Sequence, residues 1–386
     1  MAIFVTGATG YIGSYVVAGL LERHRERLAL LVRARTQDEA RQRLWQALQL
    51  HMPFARFREL VGSRVDVVLG DLIAPSFGLQ ADAWSRLAAT TESIVHIAAS
   101  LNRRSDRVCF DVNLRGTLEV VKLAQAAEAL HGLRRFSDVS TTAVAGERHG
   151  EVVREDEAVS WSRHDYDPYA RTKKFAEHMI HELLPGVPTT VFRPSTVIGD
   201  SRHPRTTQFD MLRAVLFLAR LRVLPLRPES RHDIVPANWV ARAIVELHQR
   251  DALPHRIYHL SAGEASESHA QIMRRLRLGG HSVPHVFVPA LEAPIGSAAG
   301  ALSRTPRRFG VSRAAAMMDV FWPYIVYDTV FDNTRAVGAL GEAPAPFTSY
   351  GSATCDFALE HDFTFPYAPW PEHASASEEA SSSAAC

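Results

Sequence analysis

Apolar runs and helical periods alternate through the first half of the chain. "AIFVT" (2–6) is a short apolar run that stops at Gly7, the pattern of a buried strand, and "YIGSYVVAGLLER" (11–23) follows with helical spacing. "LALLV" (28–32), "VDVVLGD" (65–71), "SIVHIAA" (93–99) and "RRFSDVS" (134–140) read as further strands. Helices fit between them. One is "TQDEARQRLWQALQL" (36–50), with Thr36 as N-cap and Glu39 placed to complete a capping box; another is "FDVNLRGTLEVVKLAQAAEAL" (110–130). This alternation predicts an α/β fold with a doubly wound parallel sheet. From about residue 200 it weakens, and prolines at 225, 228, 236, 284, 289, 294, 306 and 323 interrupt it. The expected organisation is a main domain at 1–200 and a smaller α+β lobe at 201–370. The low-complexity stretch at 371–386, with its "HASASEEASSSAAC", is expected to be disordered.

Composition narrows the class. The 386 residues are 46% hydrophobic and 22% charged, with a net charge of +1, so no field argues for nucleic acid or an anionic membrane. No run of about 18 uncharged apolar residues exists to span a bilayer. "MLRAVLFLARLRVLPL" (211–226) carries Arg213, Arg220 and Arg222 and reads as an amphipathic helix. The N-terminus lacks a basic region and a cleavage pattern, so no signal peptide is expected. Cys109, Cys355 and Cys386 are odd in number and far apart, which fits a reducing cytoplasm and neither a disulfide framework nor a zinc site. His178/His181 and His281/His285 lack an HExxH context, so no metal is expected.

Two stretches carry chemistry. "VTGATGYIG" follows the first strand and opens the first helix: Gly7 permits the tight turn, Gly10 lets backbone approach a pyrophosphate, and Gly13 lets helix pack on sheet. The helix N-terminus offers free N–H groups to the phosphates. The second strand ends "LLVRART", with Arg33 and Arg35 where an NAD site usually has an acid, so a 2′-phosphate and hence NADPH are expected; a solvated basic turn is the alternative.

"DPYARTKKF" (167–175) holds Tyr169 four residues before Lys173. Lysine occurs only at 122, 173 and 174, so such a pair arises by chance about 0.07 times. An ammonium one helical turn from a phenol favours the phenolate and makes a usable acid–base pair. "DVSTTAVAG" (138–146) offers Ser140, Thr141 and Thr142 at a strand end, where hydroxyls could hold a carbonyl oxygen. "RPESRHD" (227–233) could hold an anionic group or be a solvated loop.

Together TGATGYIG, GDL (70–72), HIAA (96–99), VNLRGT (112–117), VSTTAVAG, YARTK and RPSTVIG (193–199) resemble the extended short-chain dehydrogenase/reductases, in order, over about 240 residues. That resemblance implies a Rossmann-like sheet and an NAD(P)-dependent oxidoreductase with catalytic Thr141, Tyr169 and Lys173. It implies cofactor contacts from Gly7, Thr9, Gly10, Tyr11, Ile12, Gly13, Arg33, Arg35, Asp71, Leu72, Ala98, Ala99, Asn113, Ser140, Tyr169, Lys173, Pro194, Ser195 and Val197. Lys173 would bond the nicotinamide ribose, and Asn113 would kink its helix. "LLVRART", "VSTTAVAG", "HDIVPANWVARAIVEL" (232–247) and "YIVYDTVFDNTRAVGAL" (324–340) resemble the thioester-reductase and fatty-acyl-CoA-reductase (male-sterility-like) branch. The implied substrate is an acyl thioester on CoA or an acyl or peptidyl carrier protein, reduced to aldehyde or alcohol. The alternatives are a ketone or aldehyde reductase, a sterol-type dehydrogenase or a nucleotide-sugar enzyme of the same superfamily, or a non-catalytic NADP(H)-binding regulator. A homodimer through helices at 105–131 and 166–184 is also implied.

Overall fold

The computed structural model describes residues 1–156, 159–303 and 310–371. Seven parallel strands form its centre: β1 (Ala2–Thr6), β2 (Arg27–Val32), β3 (Val65–Leu69), β4 (Thr91–His96), β5 (Arg135–Val139), β6 (Thr189–Pro194) and β7 (Ile257–Leu260), in the order β7-β6-β5-β4-β1-β2-β3. Chain direction across the sheet reverses between β1 and β4, and the crevice at the carboxyl ends of those strands is where ligands enter such a sheet. Alternate residues of β1 serve the two faces. Ile3 and Val5 join one apolar core, and Ala2 and Phe4 the other.

Helices cover both faces. On the Ile3/Val5 side lie α1 (Tyr11–Arg23), α2 (Gln37–Leu48) and α3 (Phe54–Arg64); on the Phe4 side lie α4 (Ala81–Thr90), α5 (Thr117–His131) and α6 (Pro168–Leu183). The helix expected at 110–130 differs at its start: residues Phe110–Gly116 form a π-helical turn that runs into α5. Thr36 caps α2 by accepting from Glu39 N, but the Glu39 carboxylate accepts from Arg35 N, so the reciprocal half of the expected box is not made.

The boundary drawn at residue 200 does not part sheet from lobe. After α7 (Asp210–Ala219), the chain returns to the sheet layer through α8 (Ala237–Gln249), which packs on α1, and through β7. The helix expected at 211–226 ends at Ala219; Val223–Leu224 pairs as a strand with Val286–Phe287, and Pro225 cannot extend a helix. The lobe itself contains α9 (Glu292–Ser303) and α10 (Gly310–Val326), packed together. The stretch at 372–386, expected to be disordered, lies outside the described residues. Among the described residues no helix is long and apolar enough to cross a membrane, and no His/Cys/Asp/Glu cluster could hold a metal.

Candidate active site

The loop between β1 and α1 is built on glycine. Gly7 has φ +77°, and a Cβ there would lie 2.6 Å from Ala98 N. A Cβ on Gly13 would lie 1.9 Å from the Gly7 carbonyl oxygen, so a side chain would push the first turn of α1 off the sheet. Gly10 sits at the N-cap of α1 and supplies no side chain to occupy the first-turn N–H groups. A cleft of about 550 Å³ opens over this turn and runs along the carboxyl edge of the sheet to Tyr169.

Most of the expected cofactor residues converge on that cleft. Gly7, Thr9, Gly10, Tyr11, Ile12 and Gly13 form one end; Asp71, Leu72, Ala98 and Ala99 form a wall; and Ser140, Thr141, Tyr169, Pro194, Ser195 and Val197 surround the other end. Three do not line it. Arg35 is exposed, and its N–H donates to Glu39. Asn113 is buried, accepting from Ser100 N (2.7 Å) and donating to Ser100 O (3.2 Å) and Thr172 Oγ1 (3.0 Å), so it pins the loop after β4 to α6. Lys173 is 1% exposed, its Nζ 3.5 Å from Asp138 Oδ1 on β5.

Arg43 lines the cleft where Arg35 was expected to, and donates to the Arg33 carbonyl oxygen. It stands in the middle of α2, six residues past the helix start, where only the fold brings it beside Arg33. The residues fit a dinucleotide: the cradle excludes side chains, and among the described residues no side chain caps the α1 N-terminus and Ser140 Oγ, buried in the cleft wall, has no hydrogen-bond partner.

α6 starts where the sequence says it should. Asp167 caps it, Oδ1 accepting from Ala170 N at 2.8 Å, and Pro168 occupies the first turn. Tyr169 faces the cleft beside Thr141. Thr141 Oγ1 accepts from Ala143 N at 3.2 Å, which fixes the hydroxyl at the end of β5. Burial pushes the Tyr169 phenol up to about 12, opposed by the Arg103 guanidinium and by Thr141. Lys173 Nζ lies against Asp138, and the cation that most favours the Tyr169 phenolate is Arg103. Burial likewise raises the Asp138 carboxyl, and Lys173 works against it.

Other neighbours fall into place. Ser195 Oγ donates to Asp233 Oδ1 at 2.6 Å, and Asp233 also accepts from Ala262 N at 2.8 Å. Asp233 thus ends the "RPESRHD" stretch as a buried support of the cleft wall. Its cations are engaged internally: Arg227 with Glu292, and Arg231 with the carbonyls of Glu264 and Ser266. From the lobe, Met211, Phe321, Tyr324 and Tyr327 close the side of the cleft opposite the glycine turn.

A family model described as "Male sterility protein" matches residues 5–244. The chain is 30% identical over 279 residues to the isonitrile lipopeptide synthase of Mycobacterium tuberculosis, covering 65% of this chain and 11% of that protein. It is 32% identical over 274 residues to the carboxylic acid reductase of the same organism, covering 64% and 23%. It thus spans about a quarter or less of these curated relatives. Among solved structures, the terminal R domain from the myxalamid PKS-NRPS biosynthetic pathway superposes with a TM-score of 0.77 at 24% identity, covering 94% of this chain and 91% of that one. This likeness shows the fold.

Proposed function

The chain belongs to the male sterility protein family, and on that premise we propose that it is an NADPH-dependent reductase of an acyl thioester, carried on CoA or on a carrier protein, yielding an aldehyde or alcohol. The observation that carries the reading is the meeting of Thr141, Tyr169 and the glycine turn in one cleft, with Lys173 buried behind it. Relatives named as a carboxylic acid reductase and a lipopeptide synthase support the thioester class. Arg33 and Arg43 support NADPH over NADH, because paired guanidinium groups suit a 2′-phosphate. The proposal extends to a cytoplasmic homodimer.

When bound, the reduced nicotinamide supplies hydride. Thr141 and Tyr169 hydrogen-bond the carbonyl oxygen, and Tyr169 gives it a proton as the carbon becomes tetrahedral. With a thioester the product of that step is a hemithioacetal. Tyr169 takes the proton back, the C–S bond breaks, and sulfur leaves as the thiolate. Lys173, buried behind the cleft against Asp138, would bond the nicotinamide ribose.

The test is NADPH oxidation followed together with thiol release on a panel of acyl-CoA thioesters. Coupled loss of NADPH and release of thiol is the expected result, and Tyr169→Phe is expected to lower kcat by at least about 100-fold with cofactor binding retained. Full turnover by a folded Tyr169→Phe variant overturns the mechanism. Turnover of ketones with no thiol release overturns the substrate class.

A further inference from the structure

Arg103 lies in the loop after β4, with 17% of its side chain exposed, and nothing in the reaction described so far uses it. Its guanidinium carbon stands 5.3 Å from the Tyr169 ring centre, 5.3 Å from that of Phe321 and 4.8 Å from that of Tyr324. Its Nε lies 3.3 Å from Asp167 Oδ2. The same carboxylate oxygen accepts from the Tyr324 hydroxyl at 2.6 Å, while the other caps α6 just ahead of Tyr169. One cation therefore ties the β4 loop, the start of α6 and the lobe helix α10 together around the phenol.

We propose that Arg103 is the positioning residue that makes Tyr169 a competent proton donor, by standing beside the phenolate that forms when Tyr169 protonates the reduced carbonyl oxygen. The inference rests on the reductase reading for its chemistry. The balance is simple. Hydride adds to the carbonyl carbon, the π pair moves to oxygen, the phenolic proton follows it, and the negative charge left on Tyr169 faces a guanidinium. An opposite charge at this range shifts such a group by roughly 1–3 units. The charged and titratable groups around Tyr169 sort accordingly. Asp167 at the head of α6 and Asp138 on β5 disfavour the phenolate; Lys173 on α6 is held by Asp138; Tyr324 on α10 is bonded to Asp167; Thr141 after β5 and Arg103 favour it. Arginine suits the place, since a planar guanidinium stays protonated and stacks on aromatic rings.

The test is ¹⁹F NMR titration of the full chain carrying 3,5-difluorotyrosine at position 169, whose phenol titrates at a pH the protein tolerates. Arg103→Met and the more polar Arg103→Gln are expected to raise the midpoint by about one unit, and Arg103→Lys to recover at least half of that. Asp167→Asn keeps the helix cap and the guanidinium but removes the counter-charge, and is expected to lower the midpoint. An unmoved midpoint in the neutral Arg103 variants, or a raised one in Asp167→Asn, overturns the proposal. In the unfluorinated chain Arg103→Gln is expected to lower kcat on a medium-chain acyl-CoA about ten-fold with the KM for NADPH unchanged. The titration needs no substrate, so a shift in a wild-type chain that releases no thiol refutes the thioester reading alone.

Discussion

Asp138→Asn puts the buried ion pair to the test. Asp138 is fully buried, Lys173 is 1% exposed, and one Nζ–Oδ1 contact of 3.5 Å joins them. At that distance and an effective dielectric constant of about 20, the attraction is about 5 kcal/mol. Removing one partner of a buried pair costs about 3–5 kcal/mol, because the other is left charged and dry. The contact is single and Asp138 Oδ2 has no partner, which places the expected loss near the lower figure, about 3 kcal/mol. Urea unfolding at pH 7 measures it. The cycle is closed with Lys173→Met and the double variant, which is expected to recover about 2 kcal/mol relative to additivity. Asp138→Asn also removes the carboxylate that holds the Lys173 ammonium in place, so kcat/KM for NADPH-dependent turnover is expected to fall together with stability. A variant within about 0.5 kcal/mol of wild type, or strict additivity, refutes the idea that Asp138 and Lys173 stabilise the fold as a pair.

Two further outcomes are expected. Arg43→Ala is expected to weaken NADPH binding about ten-fold while leaving NADH binding unchanged, read by cofactor fluorescence titration; equal losses for both cofactors contradict the 2′-phosphate assignment. Acidification should unfold the chain from just below pH 6.5. Burial holds His51 and His269 down to about 4 and His96, His232 and His259 to about 3, with His248 well below 6.5. Their contribution is complete above 6.5 and lost as pH falls towards these values, each proton worth about 1.4 kcal/mol per pH unit. Glu155, pushed up to about 7, and Asp233, to about 6, act in the opposite sense but are outnumbered. Calorimetry in buffers of differing ionisation heat at pH 5.5 should show about four protons taken up on unfolding; none taken up refutes the burial argument.

How much of this was legible in sequence follows from what each feature depends on. β1, β2 and β4 show as apolar runs because parallel strands buried on both faces need them. β6 and β7 stayed hidden because polar residues interrupt their runs. Arg193 on β6 is buried only because Glu177 on α6 meets it at 2.6 Å, and His259 on β7 because it bonds the Asp332 carbonyl at 3.0 Å. Those partners come from distant segments that no local window joins. The site divides in the same way. The glycine turn and the Tyr169–Lys173 spacing are local requirements and could be read directly. Arg43, Asp138 and Arg103 enter by packing, from a helix, a strand interior and a loop whose local patterns carry no signal.

The same division limits what spacing alone says about Lys173. One helical turn between a phenol and an ammonium fixes their separation, but not where the ammonium's charge is neutralised. Each lysine of the chain meets a carboxylate: Lys122 with Glu119, Lys173 with Asp138, Lys174 with Asp165. Lys173 is buried against such a partner, which offsets part of its field. Arg103 has a carboxylate partner too, Asp167 at 3.3 Å. Its planar cation is spread over three aromatic rings, remains protonated without full neutralisation, and shares its carboxylate with Tyr324 and the α6 cap. The two cations therefore take separate tasks. Lys173 is anchored to Asp138; Arg103 stands over the ring of the phenol.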